Sequence, residues 1–226
     1  MEKRITVIGG AYGSGKTEFS MAYALEQAKK GYQVGLIDLD IVNPYFRSRD
    51  QAEELAHLGI NVVSTEPGLE NSDIPALSPR IYALFQDQAY QRVIFDVGGD
   101  PVGARALGRF NPYFALAGYE YWMVINPFRP GTRSVQETTE LIGKLQTASR
   151  LQITGLVGNI NLGRETTPEL WLEGLPLIET ISDILEIPIV YQMVSSQFAP
   201  MLRPVIPVKY DVFEVDLRMR PSWMDM

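Results

Sequence analysis

The chain has 226 residues, 46% hydrophobic and 21% charged, the make-up of a soluble globular protein able to bury one substantial core. Its net charge of -7 argues against non-specific affinity for nucleic acid or anionic membranes, though not against a small basic pocket. The absence of cysteine excludes disulfides, thiolate metal sites and a cysteine nucleophile, and a single histidine, His57, excludes a multi-histidine metal site.

Glu2, Lys3 and Arg4 lead straight into a strand, Arg4 to Gly9, with no secretory signal before it. Gly10-Ala11-Tyr12-Gly13-Ser14-Gly15-Lys16-Thr17 follows and fits G-x-x-x-x-G-K-[ST], the phosphate-binding loop. A helix from Lys16 to about Lys30 comes next, with Phe19, Met21, Ala22, Ala24 and Leu25 at helical spacing and Gly31 beyond its end. Strand, glycine loop and helix are the setting that the motif requires. Glycines let backbone N–H groups converge on phosphate oxygens, and the helix adds its positive end. Lys16 would reach the β- and γ-phosphates, and the Thr17 hydroxyl would ligate Mg²⁺.

Gln33 to Asp40 reads as an apolar strand closing in two acids, which completes a βαβ unit and a parallel sheet covered on both faces. Asn43 to Arg49 is a loop entering a short helix over 50–58 that carries His57, and Ile60 to Ser64 is a strand. Residues 65–79 hold three prolines and form a long loop of the kind that is usually functional. A helix over 80–88, a strand over 92–97 and a helix near 102–107 follow, then a strand from Tyr121 to Asn126 stopped by Pro127. A helix over 134–148, a strand over 153–159, a helix opened by Thr167 and Pro168, and a strand over 187–192 complete the pattern. From Phe213, apolar residues alternate with Glu214, Asp216, Arg218 and Arg220, the pattern of a half-exposed strand added to an edge of this chain or of a neighbour. No apolar run approaches membrane-spanning length, so a single cytoplasmic domain over 1–226 is expected, with an extended tail from about 200.

Acids for a metal belong at the C-terminal ends of neighbouring parallel strands. Asp96 follows Val93-Ile94-Phe95 in the Walker B manner, and Gly99 completes D-x-x-G, whose amide could meet a γ-phosphate. Asp96 could instead be a cap or turn residue. Asp38 and Asp40 point to one side of an extended chain, where two carboxylates repel unless a cation lies between them; they could instead cap a helix. Neither Asn159-Ile160-Asn161-Leu162 nor Asn126-Pro127-Phe128-Arg129 is a guanine reader of the N-K-x-D type, so ATP is favoured over GTP.

These motifs, Gly10–Thr17, Leu36 to Asp40 and Phe95 to Gly99, resemble the SIMIBI class of P-loop proteins, in the broad CobQ/CobB/MinD/ParA nucleotide-binding group. The stretch from Asp38 to Arg49 resembles a bacterial nucleotide-binding subgroup within it. The resemblance covers residues 1 to about 195 and implies a three-layer α/β/α sandwich with a mostly parallel central sheet. It implies that Asp38 and Asp96 order the Mg²⁺ shell, Asp40 orients or activates the attacking water, Gly99 senses the γ-phosphate and Asn159 contacts adenine. MinD- and ParA-type loops carry a second, signature lysine that reaches across a dimer; here that position is Ala11, followed by Tyr12. Arg47, Arg49, Arg105 and Arg109 are candidates for the missing charge, and solvated arginines otherwise.

Three functions remain open. The first is a Mg-ATP-hydrolysing switch acting on a protein partner, with the 65–79 loop and the tail as partner surfaces. The second is a synthetase of the dethiobiotin or cobyrinic acid kind that phosphorylates a carboxylate metabolite held by arginines. The third is a non-hydrolysing nucleotide sensor. The oligomeric state stays open, although members of the group the chain resembles often form a homodimer with nucleotide between subunits. Membrane cycling is disfavoured because no basic amphipathic helix ends the chain, and DNA partitioning by the acidic charge.

Overall fold

Among the described residues, eight strands lie in one sheet in the order β3-β2-β4-β1-β5-β6-β7-β8, and every neighbouring pair is parallel. The computed structural model describes residues 3–39, 49–64 and 79–216. The first half runs β1 (Ile5–Gly10), α1 (Lys16–Lys29), β2 (Val34–Asp38), α2 (Arg49–His57), β3 (Ile60–Ser64), α3 (Pro79–Gln86) and β4 (Arg92–Asp96). The second runs α4 (Pro101–Leu107), α5 (Asn111–Ala117), β5 (Tyr119–Ile125), α6 (Val135–Ser149), β6 (Gly155–Gly158), α7 (Pro168–Leu185), β7 (Ile189–Ser195), α8 (Ala199–Leu202) and β8 (Val212–Val215).

The unbroken apolar strands are explained by helices on both faces. Side chains alternate between two cores. Ile8, Leu36, Ile94, Trp122, Val124 and Met193 pack under α1 and α2, with Phe19 and Tyr23 of α1 fully buried. Val7, Ile37, Phe95, Met123 and Ile125 pack under α3 to α8, where Trp171, Phe110 and Phe114 fill the space. The result is the expected three-layer α/β/α sandwich, with a sheet that is parallel throughout the described residues.

Several boundaries differ from the sequence expectation. The second strand stops at Asp38 instead of Asp40, although the Leu39 amide still donates to Asp96 O of β4 at 2.9 Å. Asp40, Arg47, the loop over 65–78 and the tail beyond 216 lie outside the described residues. Helix α5 falls in a stretch for which the sequence reading names no element; Pro112 sits in its first turn, and Phe114 is buried among Phe85, Phe95 and Tyr119. The strand expected over 187–192 runs on to Ser195, because β8 pairs with Gln192–Ser195. That β8 is the alternating segment. It extends the edge of its own sheet in parallel, burying Phe213 and Val215 and exposing Glu214.

The connection into β8 is tied down on α7. The Lys209 ammonium donates to Glu179 Oε1 at 2.9 Å, and the Tyr210 hydroxyl donates to the same oxygen. These two donors, Tyr210 first, hold the Glu179 carboxyl below the usual carboxylate range.

Candidate functional site

The C-terminal ends of the central strands meet at the loop between β1 and α1. Within this loop the Ser14 amide donates to Ala11 O at 3.1 Å, and Gly15 takes φ 90°, ψ 13° to turn the chain into the helix. That left-handed conformation is open to glycine at little cost. A β-carbon on Gly15 would also fall 2.3 Å from Asn159 Nδ2. The helices differ in how their N-termini end, and the short α5 and α8 have no side-chain cap. Asp100, Ser134 and Thr167 cap α4, α6 and α7 through side-chain oxygens, whereas α1 has no side-chain cap. Its first backbone bond is Phe19 N–H to Gly15 O, so the amides of the first turn face the loop. An uncapped helix end behind a glycine loop presents unpaired N–H groups of the kind that suit an anion. Lys16 opens the helix and is only 6% exposed; Thr17 follows it, half-buried.

Asp38 and Asp96 are partners in the β2–β4 register, so their side chains stand side by side on the α1 face of the sheet. Both are buried. The Ser20 hydroxyl, one turn beyond Lys16, lies 3.1 Å from Asp96 Oδ1 and 2.8 Å from Lys16 O. Ser20 was missed by sequence reasoning. Its signal was a hydroxyl residue within the apolar stripe of α1.

Gly99 comes to the loop itself. A β-carbon there would meet Gly10 O at 2.6 Å, Tyr12 N at 2.8 Å and Ala11 C at 2.9 Å. The D-x-x-G turn therefore touches the phosphate loop backbone to backbone, with room for no side chain. Gly10 is equally confined, with Ser14 Oγ and Val124 O both 2.6 Å from where its β-carbon would lie.

Asn159, just past β6, donates from Nδ2 to Ser14 O at 2.7 Å and braces the loop from behind. Among the described residues its Oδ1 and the Ser14 hydroxyl are buried without hydrogen-bond partners. Buried polar atoms are seldom left so, and both are at the loop. Asn161 is spent locally, its Oδ1 accepting from the Gly163 amide at 2.6 Å and lying 3.2 Å from the Thr166 hydroxyl. Of the arginine candidates, Arg105 and Arg109 are exposed on α4 and the turn after it, and Arg49 begins α2. Gly10, Gly13, Ser14, Gly15, Lys16, Thr17, Asp38, Asp96, Gly99 and Asn159 are thus gathered at one end of the sheet, while Asp40 is not among the described residues. Among those residues no group of three or more His, Cys, Asp or Glu is arranged to hold a metal. No described helix is long and apolar enough to cross a membrane.

Comparison with known proteins agrees with this architecture. No family model matches the chain. The 54 kDa signal recognition particle protein of Sulfurisphaera tokodaii is 34% identical over 96 residues, which is 42% of this chain and 20% of that protein. FtsY from Thermotoga maritima superposes with a TM-score of 0.59 at 21% identity, over 85% of this chain and 62% of that one. The signal recognition particle receptor FtsY from Elizabethkingia anophelis in complex with GDP gives 0.55 at 19%, over 86% and 58%. A nucleotide-binding protein from Archaeoglobus fulgidus in complex with ADP gives 0.51 at 17%, over 90% and 86%. The chain therefore spans a fifth of the curated relative and about three-fifths of each FtsY chain. At these identities the solved structures speak for the fold alone: this chain shares the parallel α/β architecture of the FtsY chains and of the Archaeoglobus nucleotide-binding protein.

Proposed function

We propose that this chain is a P-loop nucleoside triphosphatase that binds Mg-ATP and acts as a nucleotide-dependent switch on a protein partner. One observation carries the reading: the uncapped start of α1, behind a loop whose Gly10 and Gly15 leave no room for a side chain, lies at the same end of the sheet as a pair of in-register buried acids, one of them bonded to Ser20 of α1. The loop amides and Lys16 bind the phosphates. Thr17, Asp38 and Asp96 are oxygen donors suited to Mg²⁺, whose remaining positions belong to phosphate oxygens and water. Bound nucleotide and Mg²⁺ supply the phosphoryl bond and the charge that polarises it. Asp40, two residues beyond Asp38, orients the water, and Gly99, pressed against Gly10 and Tyr12, carries a change at the γ-phosphate into the chain after β4. Asn159, already braced on Ser14, stands by the site that we assign to adenine.

The fold serves both guanine and adenine nucleotides, since FtsY is seen with GDP and the Archaeoglobus protein with ADP. The choice of ATP rests on Asn159-Ile160-Asn161-Leu162, which has no acid to accept from the guanine edge and whose Asn161 is bonded within its own turn. The switch reading is supported by the names of the similar proteins, a signal recognition particle component and a signal recognition particle receptor. Steady-state phosphate release tests it. Slow turnover of Mg-ATP, lost in Asp40→Asn and raised by a protein fraction, is expected. Turnover that appears only with a carboxylate metabolite would replace the switch with a synthetase.

A further inference from the structure

The turn after β5 is firmly built and lies on the phosphate loop. Asn126 is 1% exposed; its Oδ1 accepts from the Phe128 amide at 3.0 Å and its Nδ2 donates to Asn161 O at 2.9 Å. The Thr132 hydroxyl donates to Asn126 O at 2.7 Å. Two backbone bonds of 3.1 Å, Arg129 N–H to Asn126 O and Thr132 N–H to Arg129 O, close the turn. Arg129 is thus fixed at its amide and at its carbonyl. Gly131, at φ 83°, lets the turn come close: a β-carbon there would lie 3.8 Å from the Ala11 Cβ. A β-carbon on Gly13 would lie 3.7 Å from Arg129 Cδ and 3.8 Å from its Nε. The guanidinium therefore starts from the rim of the phosphate loop. Arg129 is exposed, and among the described residues it pairs with no carboxylate.

An exposed arginine on a surface is ordinarily just solvated. This one differs in that a rigid turn holds it over a glycine of the loop. Position 11 meanwhile offers no charge: Ala11 is 4% exposed, with its methyl facing Gly131. We propose that Arg129 is a phosphate-binding residue of the nucleotide site, supplying from the same chain the second positive charge that Ala11 lacks. The planar guanidinium can bond two phosphate oxygens at once, which an ammonium cannot. The inference rests on the nucleotide reading above.

Equilibrium binding of Mg-ATP, Mg-ADP and adenosine to wild type, Arg129→Ala, Arg129→Lys and Lys16→Ala tests it, at low and moderate salt. Losing a charge-assisted contact should weaken ATP binding about tenfold to a hundredfold in Arg129→Ala. ADP should lose less and adenosine nothing. The salt dependence of ATP binding should become shallower, and Arg129→Lys should recover part of the affinity. The thermal midpoint of the nucleotide-free variant should match wild type, which excludes misfolding as the cause. If Arg129→Ala binds ATP like wild type while Lys16→Ala does not, Arg129 is a solvated surface residue and the nucleotide reading stands. If Lys16→Ala also binds ATP like wild type, the nucleotide reading falls and this inference with it.

Discussion

At the scale of single residues, the site is governed by where a side chain has no room. Gly99 meets three backbone atoms of Gly10, Ala11 and Tyr12, and backbone cannot swing aside as a flexible side chain can. Gly99→Ala must therefore push the D-x-x-G turn off the phosphate loop. It should destabilise the protein by about 2 kcal/mol and remove nucleotide-induced stabilisation. Gly143 provides the control. It lies within α6, with nothing within 4 Å of its virtual β-carbon. Gly143→Ala should stabilise by up to about 1 kcal/mol through helix propensity. Urea denaturation of both variants measures this pair, and equal effects in the two would refute the contact argument. Most of these residues were legible in the sequence. Glycines at fixed spacing and acids at strand ends follow local rules that need no knowledge of distant parts. Ser20, Arg129 and the brace from Asn159 to Ser14 were not legible as such. Each depends on a contact across the sheet or between loops far apart in sequence, which periodicity does not encode.

At the scale of elements, the chain positions the site by how its helices end. Three helices close their N-termini with side chains, whereas α1, like the short α5 and α8, has no side-chain cap, and its start is where the proposed phosphate site lies. The C-terminus of α3 is closed from a distance. The Arg4 guanidinium donates to Leu84 O at 2.8 Å, Phe85 O at 2.9 Å, Asp87 O at 2.7 Å and Tyr90 O at 2.7 Å. Burial lowers the pKa of Arg4, and the nearby Asp87 carboxylate opposes that shift. A positive charge at a helix C-terminus is favourable, and only a planar fork reaches so many carbonyls. Arg4→Met should cost about 2 kcal/mol in urea unfolding, with Arg4→Lys recovering less than half. A loss below about 0.5 kcal/mol, the range of an ordinary surface change, would show that the carbonyls are satisfied by water instead. The sequence showed Arg4 only as the start of a strand. Strand and helix order was read from apolar runs, and it holds because parallel strands are buried on both faces. The end of β7 differs from the sequence expectation because it is set by pairing with β8, a partner far along the chain that an apolar run does not reveal.

At the scale of the whole molecule, the parallel sheet brings the loop after β1, the acids of β2 and β4, the turn after β5 and Asn159 after β6 to one end. Such sheets place their ligands there, beyond the carboxyl ends of the strands. The acidic charge of -7 is carried by a molecule whose cations Lys16 and Arg129 stand at this loop. A nucleotide held there would bind only the folded state, so it should stabilise the whole fold by mass action. The most direct measurement is equilibrium binding of Mg-ATP and Mg-GTP to the wild type and to Lys16→Ala, each read with the thermal midpoint. Wild type should bind Mg-ATP more tightly than Mg-GTP and gain stability in proportion to ligand concentration, and Lys16→Ala should lose both effects while remaining folded. Equal binding by wild type and Lys16→Ala, or no nucleotide binding by either, would contradict a phosphate site at the start of α1.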